Sequence, residues 1–173
     1  MTRHLEAPPD PTAPIGSTEL VVALRFATCL LAGSFAGFLL GVLVLESSLR
    51  SADAVTYTEV RSVELDRLDL LASLTLIPAL CLGAALAVTM YRFGRSWVPI
   101  AFAVALLAVV ALISVEFNLP INAQQRDWAG HGIPADWSAV RDRWQAAHTV
   151  RTAAAVIAFG ILLLPPRPHT RTH

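Results

Sequence analysis

Trp144, His148 and Arg151 stand at i, i+4 and i+7, which places an indole, an imidazole and a guanidinium on one face of a helix. Those three types can work together on a flat acidic molecule. An imidazole exchanges a proton near neutral pH and can act as a general base. A guanidinium is a permanent cation that can hold a developing oxyanion in a dry site. An indole offers a flat face to an aromatic ligand. The bland alternative makes Trp144 an interfacial anchor and lets His148 and Arg151 snorkel to water. Depth weighs against it for Arg151. Only the uncharged stretch Thr152–Leu164 separates Arg151 from Pro165 and Pro166. At 1.5 Å per residue it covers roughly 20 Å of a hydrocarbon core about 30 Å thick. A full crossing must start near Trp144–Ala147, which carries Arg151 up to roughly a third of the way in, with His148 about a turn nearer the surface. A cation at that depth is expected to face the interior and pair with a carboxylate, Glu116 or Glu46 being the candidates.

A second constellation, Glu116-Phe-Asn118-Leu-Pro120-Ile-Asn122, follows an apolar run. Pro120 has no N–H and biases Leu119 away from helix, so a helix is expected to end about here. The two asparagines can cap the freed backbone groups or aim their amides at a ligand, and both roles can hold together. His131, between Gly130 and Gly132, reads as a solvated loop histidine or a mobile lid element. Arg141, Asp142 and Arg143 read as a solvated face. Glu116 and His148 with His131 or Glu46 are the residues available to a metal. No pair has a one-helix ligand spacing such as HxxxH or ExxH, so no metal is expected.

The elements that must position these residues are membrane spans. The chain has 173 residues, 55% of them hydrophobic and only 15% charged, against about 25% charged in soluble domains. The net charge of zero argues against a nucleic-acid partner. Four apolar runs are expected to cross the lipid bilayer: 20–45, 70–90 with Pro78 as a kink, 98–115, and about 146–164. The fold class is therefore all-α, an integral membrane four-helix bundle with a re-entrant or amphipathic helical loop before the fourth span. Its domain covers residues 19–166, between a proline-rich disordered tail (1–18) and a C-terminal tail (167–173). With an even number of crossings between them, the 46–69 and 117–145 loops share one side of the membrane. Glu46, Tyr57, Glu116, Asn118, Asn122, Trp144 and His148 then gather at one mouth. Arg92 and Arg95 in the second turn, and Arg167 and Arg171 in the tail, point to both termini cytoplasmic in the cell membrane. Arg25 is expected to snorkel. Cys29 and Cys81 are expected to pack as small apolar residues. Gly33, Gly37 and Gly41 form GxxxGxxxG, which serves either helix packing within the bundle or a homodimer seam.

With these residues in view, the chain resembles the anthrone oxygenase-like membrane proteins. The resemblance rests on Asn118-x-Pro120-x-Asn122 after the third span and Trp144-x3-His148-x2-Arg151 opening the fourth. Tyr57 after the first span and Pro78 in the second fit the same pattern, which covers most of residues 20–164. It implies a cofactor-free oxygenase, with no metal or flavin, that oxidises a hydrophobic phenolic, polyketide-like molecule with O2. His148 would be the base and Arg151, with Asn118 or Asn122, would stabilise the oxyanion. Trp144 and Tyr57 would stack on a small hydrophobic aromatic ligand, and Glu116 would line the same mouth. Two other readings stay open: a non-catalytic module that binds a quinone, lipid or hydrophobic metabolite, and a structural membrane subunit. No phosphate loop, nucleophile elbow or zinc signature points to hydrolase or ATPase chemistry.

Overall fold

In lipid a backbone N–H or C=O has no partner but its own chain, so apolar runs of this length must close their hydrogen bonds as helices. The computed structural model describes residues 15–165, and no strand occurs among them. The expected tail residues 1–14 and 167–173 lie outside the described residues. Helix α1 spans Ile15–Ser48, so it begins within the segment expected as tail. A 3-10 turn at Leu49–Ser51 leads to α2, Ala54–Arg92. Helix α3 is Val98–Ile113, a π-helical turn follows at Ser114–Asn118, α4 is Leu119–His131 and α5 is Trp137–Leu163.

Local chemistry sets the ends. The Asp53 carboxylate accepts from the amides of Val55 and Thr56, both at 3.0 Å, and starts α2. Those bonds hold its pKa below the ordinary aspartate value. Gly94, at φ +62°, lets the Arg95 amide turn back to Met90 O at 2.8 Å and closes α2. Pro78 sits inside α2 without interrupting it.

The helix end expected at Pro120 is absent. The third helix runs on as α4 to His131. A proline in mid-helix clashes with the carbonyl four residues back, here that of Glu116. The π turn relieves this by inserting one residue, so that the Leu119 amide bonds Ser114 O, five residues back. With the first turns of α5, α4 supplies the helical segment expected before the fourth span.

Four of these helices are long and apolar enough to cross a membrane. They pack antiparallel in the cyclic order α1, α2, α3, α5. Phe35 and Leu39 of α1, Leu86 and Met90 of α2, Ala103 and Leu107 of α3, and Ala155 and Leu162 of α5 fill the core. Phe26, Leu30, Leu74, Ile77, Phe102, Leu112 and Ile157 point outward as the lipid-facing surface of a multi-pass membrane protein. Gly33 lets α5 approach: a Cβ there would stand 2.8 Å from the Phe159 ring. Gly37 and Gly41 face open space. Arg25 does not simply reach for water. It donates to the carbonyls of Leu162, at 2.9 Å, and Leu164, capping α5 where the helix dipole favours a cation. Helices of 34 and 39 residues are roughly 50–60 Å long, so α1 and α2 outrun a core of about 30 Å. The excess of α2, together with α4 and the start of α5, stands beyond one end of the apolar bundle, at the mouth that holds the polar residues.

Candidate functional site

The polar residues at this mouth are organised around Arg61, on the stretch of α2 that precedes the second apolar run. Arg61 is 3% exposed, and its guanidinium donates to Glu64 Oε2 at 2.5 Å, Asn122 Oδ1 at 2.7 Å and Gln125 Oε1 at 2.9 Å. Glu46 Oε1, from α1, lies 3.4 Å away. The Arg61 Cζ stands 3.9 Å from the centre of the Trp144 ring. Asn122 ties the group together. Its carbonyl oxygen also accepts from Trp144 Nε1 at 2.7 Å, and its amide nitrogen donates to Asp69 at 2.9 and 3.2 Å. Asp69 in turn holds Arg126 at 2.6 Å.

Trp144, His148 and Arg151 do share one buried face, as their spacing requires. The His148 ring stacks on Trp144, centroids 4.7 Å apart and planes 9° from parallel. Its Nε2 lies 3.0 Å from Leu39 O, an acceptor only, so that nitrogen carries the hydrogen. Its Nδ1 accepts from Arg151 Nε at 3.1 Å and Nη2 at 2.9 Å. The imidazole is thus neutral with both nitrogens engaged. It is not the free base expected from the sequence; it holds the Arg151 guanidinium in place. Arg151 also donates to Ser114 Oγ at 3.0 Å, in the π turn. The expected carboxylate partner is missing: among the described residues no acid lies within 4.0 Å of Arg151. Glu46 faces Arg61 and Gln145 instead.

Asn118 donates to Trp144 O at 3.3 Å, and its Oδ1 is buried without a donor. Tyr57 is fully buried one layer further out, 5.6 Å from Trp137, and its hydroxyl accepts from Gln125 Nε2 at 3.2 Å. It therefore anchors the network through Gln125, and its ring is already packed against protein where a ligand was expected. Glu116 leaves the cluster altogether, because the π turn directs it outward. It lines an outward-facing, largely apolar groove of about 620 Å³ between the third helix and α5, with Ile113, Phe117, Ile121, Arg143 and Val150. His131 sits at the end of α4 on the separate rim hollow formed with Trp128 and Pro134. Among the described residues no three His, Cys, Asp or Glu side chains converge in a metal-binding arrangement.

Two cavities meet the cluster. An inner one of about 20 Å³, near the size of one water, is lined by Arg61, Glu64, Asp69, Trp144 and Arg151. Phe38, Val42, Leu65 and Leu68 close it along the seam between α1 and α2. An outer vestibule of about 140 Å³ is lined by Glu46, Ser47, Arg50, Asp142, Gln145 and Thr149.

Arg61, Glu64, Asp69 and Gln125 were not anticipated from the sequence. Residues 46–69 read there as a charged loop. One signal was present: Tyr57, Arg61, Glu64 and Leu65 fall at i, i+4, i+7 and i+8, a helical face, and all four are buried.

A family model described as anthrone oxygenase matches residues 71–161. That range contains Asn118, Asn122, Trp144, His148 and Arg151, and stops short of Glu46, Tyr57, Arg61 and Glu64. No curated protein and no solved structure matches the chain.

Proposed function

The chain belongs to the anthrone oxygenase family, and from that premise we propose that it oxidises a lipid-partitioned polycyclic phenol with O2 at the Arg61–Trp144–Arg151 cluster. The reacting group is a CH2 between two hydroxylated aromatic rings that a ketone carbonyl joins on the other side. Loss of one proton gives an enolate, which passes electrons to O2. The carbon becomes a carbonyl that keeps one oxygen atom, and the other leaves as water.

The observation that carries this reading is Arg151. It is a cation 8% exposed, with no carboxylate within 4.0 Å among the described residues. A buried charge without a directly bonded counter-charge is costly, and an enolate or phenolate oxygen beside it would lower that cost. Arg61 adds a second cation to the same cavity. The roles then differ from those first expected. Arg151 and Arg61 hold the oxyanion, His148 fixes the Arg151 fork, and Asn118 Oδ1 accepts from a substrate hydroxyl. Trp144 is the aromatic wall, already stacked on His148. A flat substrate enters by parting Phe38 and Val42 from Leu65 and Leu68, the lipid-side seam of the inner cavity. The protein sits in the cell membrane with both termini cytoplasmic, and the mouth opens on the opposite face.

The test is aerobic conversion of a polycyclic anthrone to its quinone by protein in lipid nanodiscs, with a protein-free control for autoxidation. Arg151→Met is expected to lose about 10²–10³-fold in turnover, the range for removing an oxyanion donor. Turnover that survives Arg151→Met and disappears in Glu116→Gln would move the chemistry to the outward-facing groove and refute this assignment.

A further inference from the structure

The enolisation just described needs a proton acceptor, and His148 has no free nitrogen. The acid side chains of the cluster have a different difficulty. Glu46 and Glu64 are 0% and 5% exposed, and each has one oxygen, Oε1, buried without any hydrogen-bond donor. Their carboxyl groups come from α1 and α2 and converge on the same guanidinium nitrogen. A single guanidinium serves both: Arg61 Nη1 is 2.5 Å from Glu64 and 3.4 Å from Glu46. Gln145 Nε2 supplies one further bond, to Glu46 Oε2 at 2.9 Å.

Two carboxylates crowd one hydrogen-bonding guanidinium in a dry place, where like charges repel and each keeps an oxygen without a donor. One proton relieves the repulsion and supplies the donor that the bare oxygens lack. The remaining charged neighbours do not supply it. On α2, Asp69 is engaged with Asn122 and with Arg126 of α4. On α5, Arg141 is paired with Asp142 and Arg151 is bound to His148 and Ser114. Arg50 lies at the vestibule, and the Tyr57 hydroxyl is bonded to Gln125.

The positions of the two acids matter as much as their charge. Glu64 lines the inner cavity, beside Arg61, Trp144 and Arg151, whereas Glu46 lines the outer vestibule. The pair therefore bridges the space where a substrate would react and the space that water reaches.

We propose that Glu46 and Glu64 share one proton and form the proton store of the site, with Glu64 as the acceptor on the substrate side and Glu46 as the exchange point with the vestibule. The shared proton rests on the two buried, donor-less oxygens and the single guanidinium nitrogen between them; its use rests on the oxygenase reading. The proton balance closes. The pair, holding one proton, takes a second from the substrate CH2, and the enolate carbon bonds O2. The pair returns a proton to the resulting peroxide anion. It then takes the last C–H proton as the O–O bond breaks and the carbonyl forms, and gives that proton to the departing hydroxide as water. The substrate loses four electrons to O2, and the pair ends as it began.

Infrared spectroscopy of the protein in nanodiscs at neutral pH, in H2O and D2O, tests this directly. Wild type should show the carbonyl stretch of a protonated carboxyl with a deuterium shift, and both Glu46→Gln and Glu64→Gln should lose it. A wild type without the band, or a band that persists in both variants, overturns the shared proton. In the anthrone assay Glu64→Gln should lose about 10²–10⁴-fold, the span for a general base, while Arg61 keeps Glu46, Asn122 and Gln125. Wild-type turnover by Glu64→Gln overturns its role as acceptor. If the wild type itself converts no anthrone, the oxygenase reading fails, and the band alone decides whether the pair holds a proton.

Discussion

Asn122→Leu is the perturbation that best tests whether the buried network is a unit. The change removes the shared acceptor of two buried donors, Trp144 Nε1 and Arg61 Nη2, each at 2.7 Å. An orphaned buried N–H costs about 1–3 kcal/mol, and loss of a bond to a charged group about 1.5–3 kcal/mol. The bonds to Asp69 add little, because Asp69 is one-third exposed and retains Arg126. The apolar leucine recovers about 1 kcal/mol by its own burial. The net expectation is a loss of about 2–5 kcal/mol. The assay is unfolding by sodium dodecyl sulfate in maltoside micelles, followed by far-UV circular dichroism. A cycle with Trp144→Phe separates the two donors. The phenylalanine has no N–H to strand, so Asn122→Leu should cost about 1–2 kcal/mol less in that background. A cost below about 1 kcal/mol, or full additivity in the cycle, would refute the shared-acceptor argument.

Three further outcomes follow from the same geometry. Arg151→Met should leave stability unchanged or raise it by up to about 1–4 kcal/mol while turnover falls, since it replaces a buried cation that makes no direct ion pair with an apolar chain; the same micelle titration reads it. Gly33→Val should destabilise by about 1–3 kcal/mol by pushing Phe159, whereas Gly37→Val, facing open space, should stay within about 0.5 kcal/mol. Cross-linking in nanodiscs completes that comparison, because Gly37→Val would alter the oligomeric state only if the Gly37–Gly41 surface were a dimer seam. For Asp53 the folded pKa is depressed, so its contribution is present above the unfolded value near 3.9 and lost as pH falls through the folded one. Amide exchange at Val55 and Thr56 should accelerate in that acid window in wild type and at all pH values in Asp53→Ala.

The composition and four apolar runs are enough to determine a helical membrane bundle, because lipid offers the backbone no alternative partner. The 3.6-residue period is enough to put Trp144, His148 and Arg151 on one face, and the shortness of the last run is enough to sink Arg151. What each of those side chains touches was decided by tertiary structure. A period says which residues share a face, and nothing about which helix arrives opposite. Arg61 therefore faces Glu46, one of the two acids that Arg151 was expected to pair with, and Leu39 O and Arg151 took the two nitrogens of His148. Pro120 shows the limit at the local level. Its ring forbids the ordinary helical bond, but whether the chain breaks or slips by one residue depends on the surrounding packing. Here the Arg151 guanidinium bonds Ser114 at the start of the π turn, Asn118 at its end donates to Trp144 O, and Glu116 between them is turned outward.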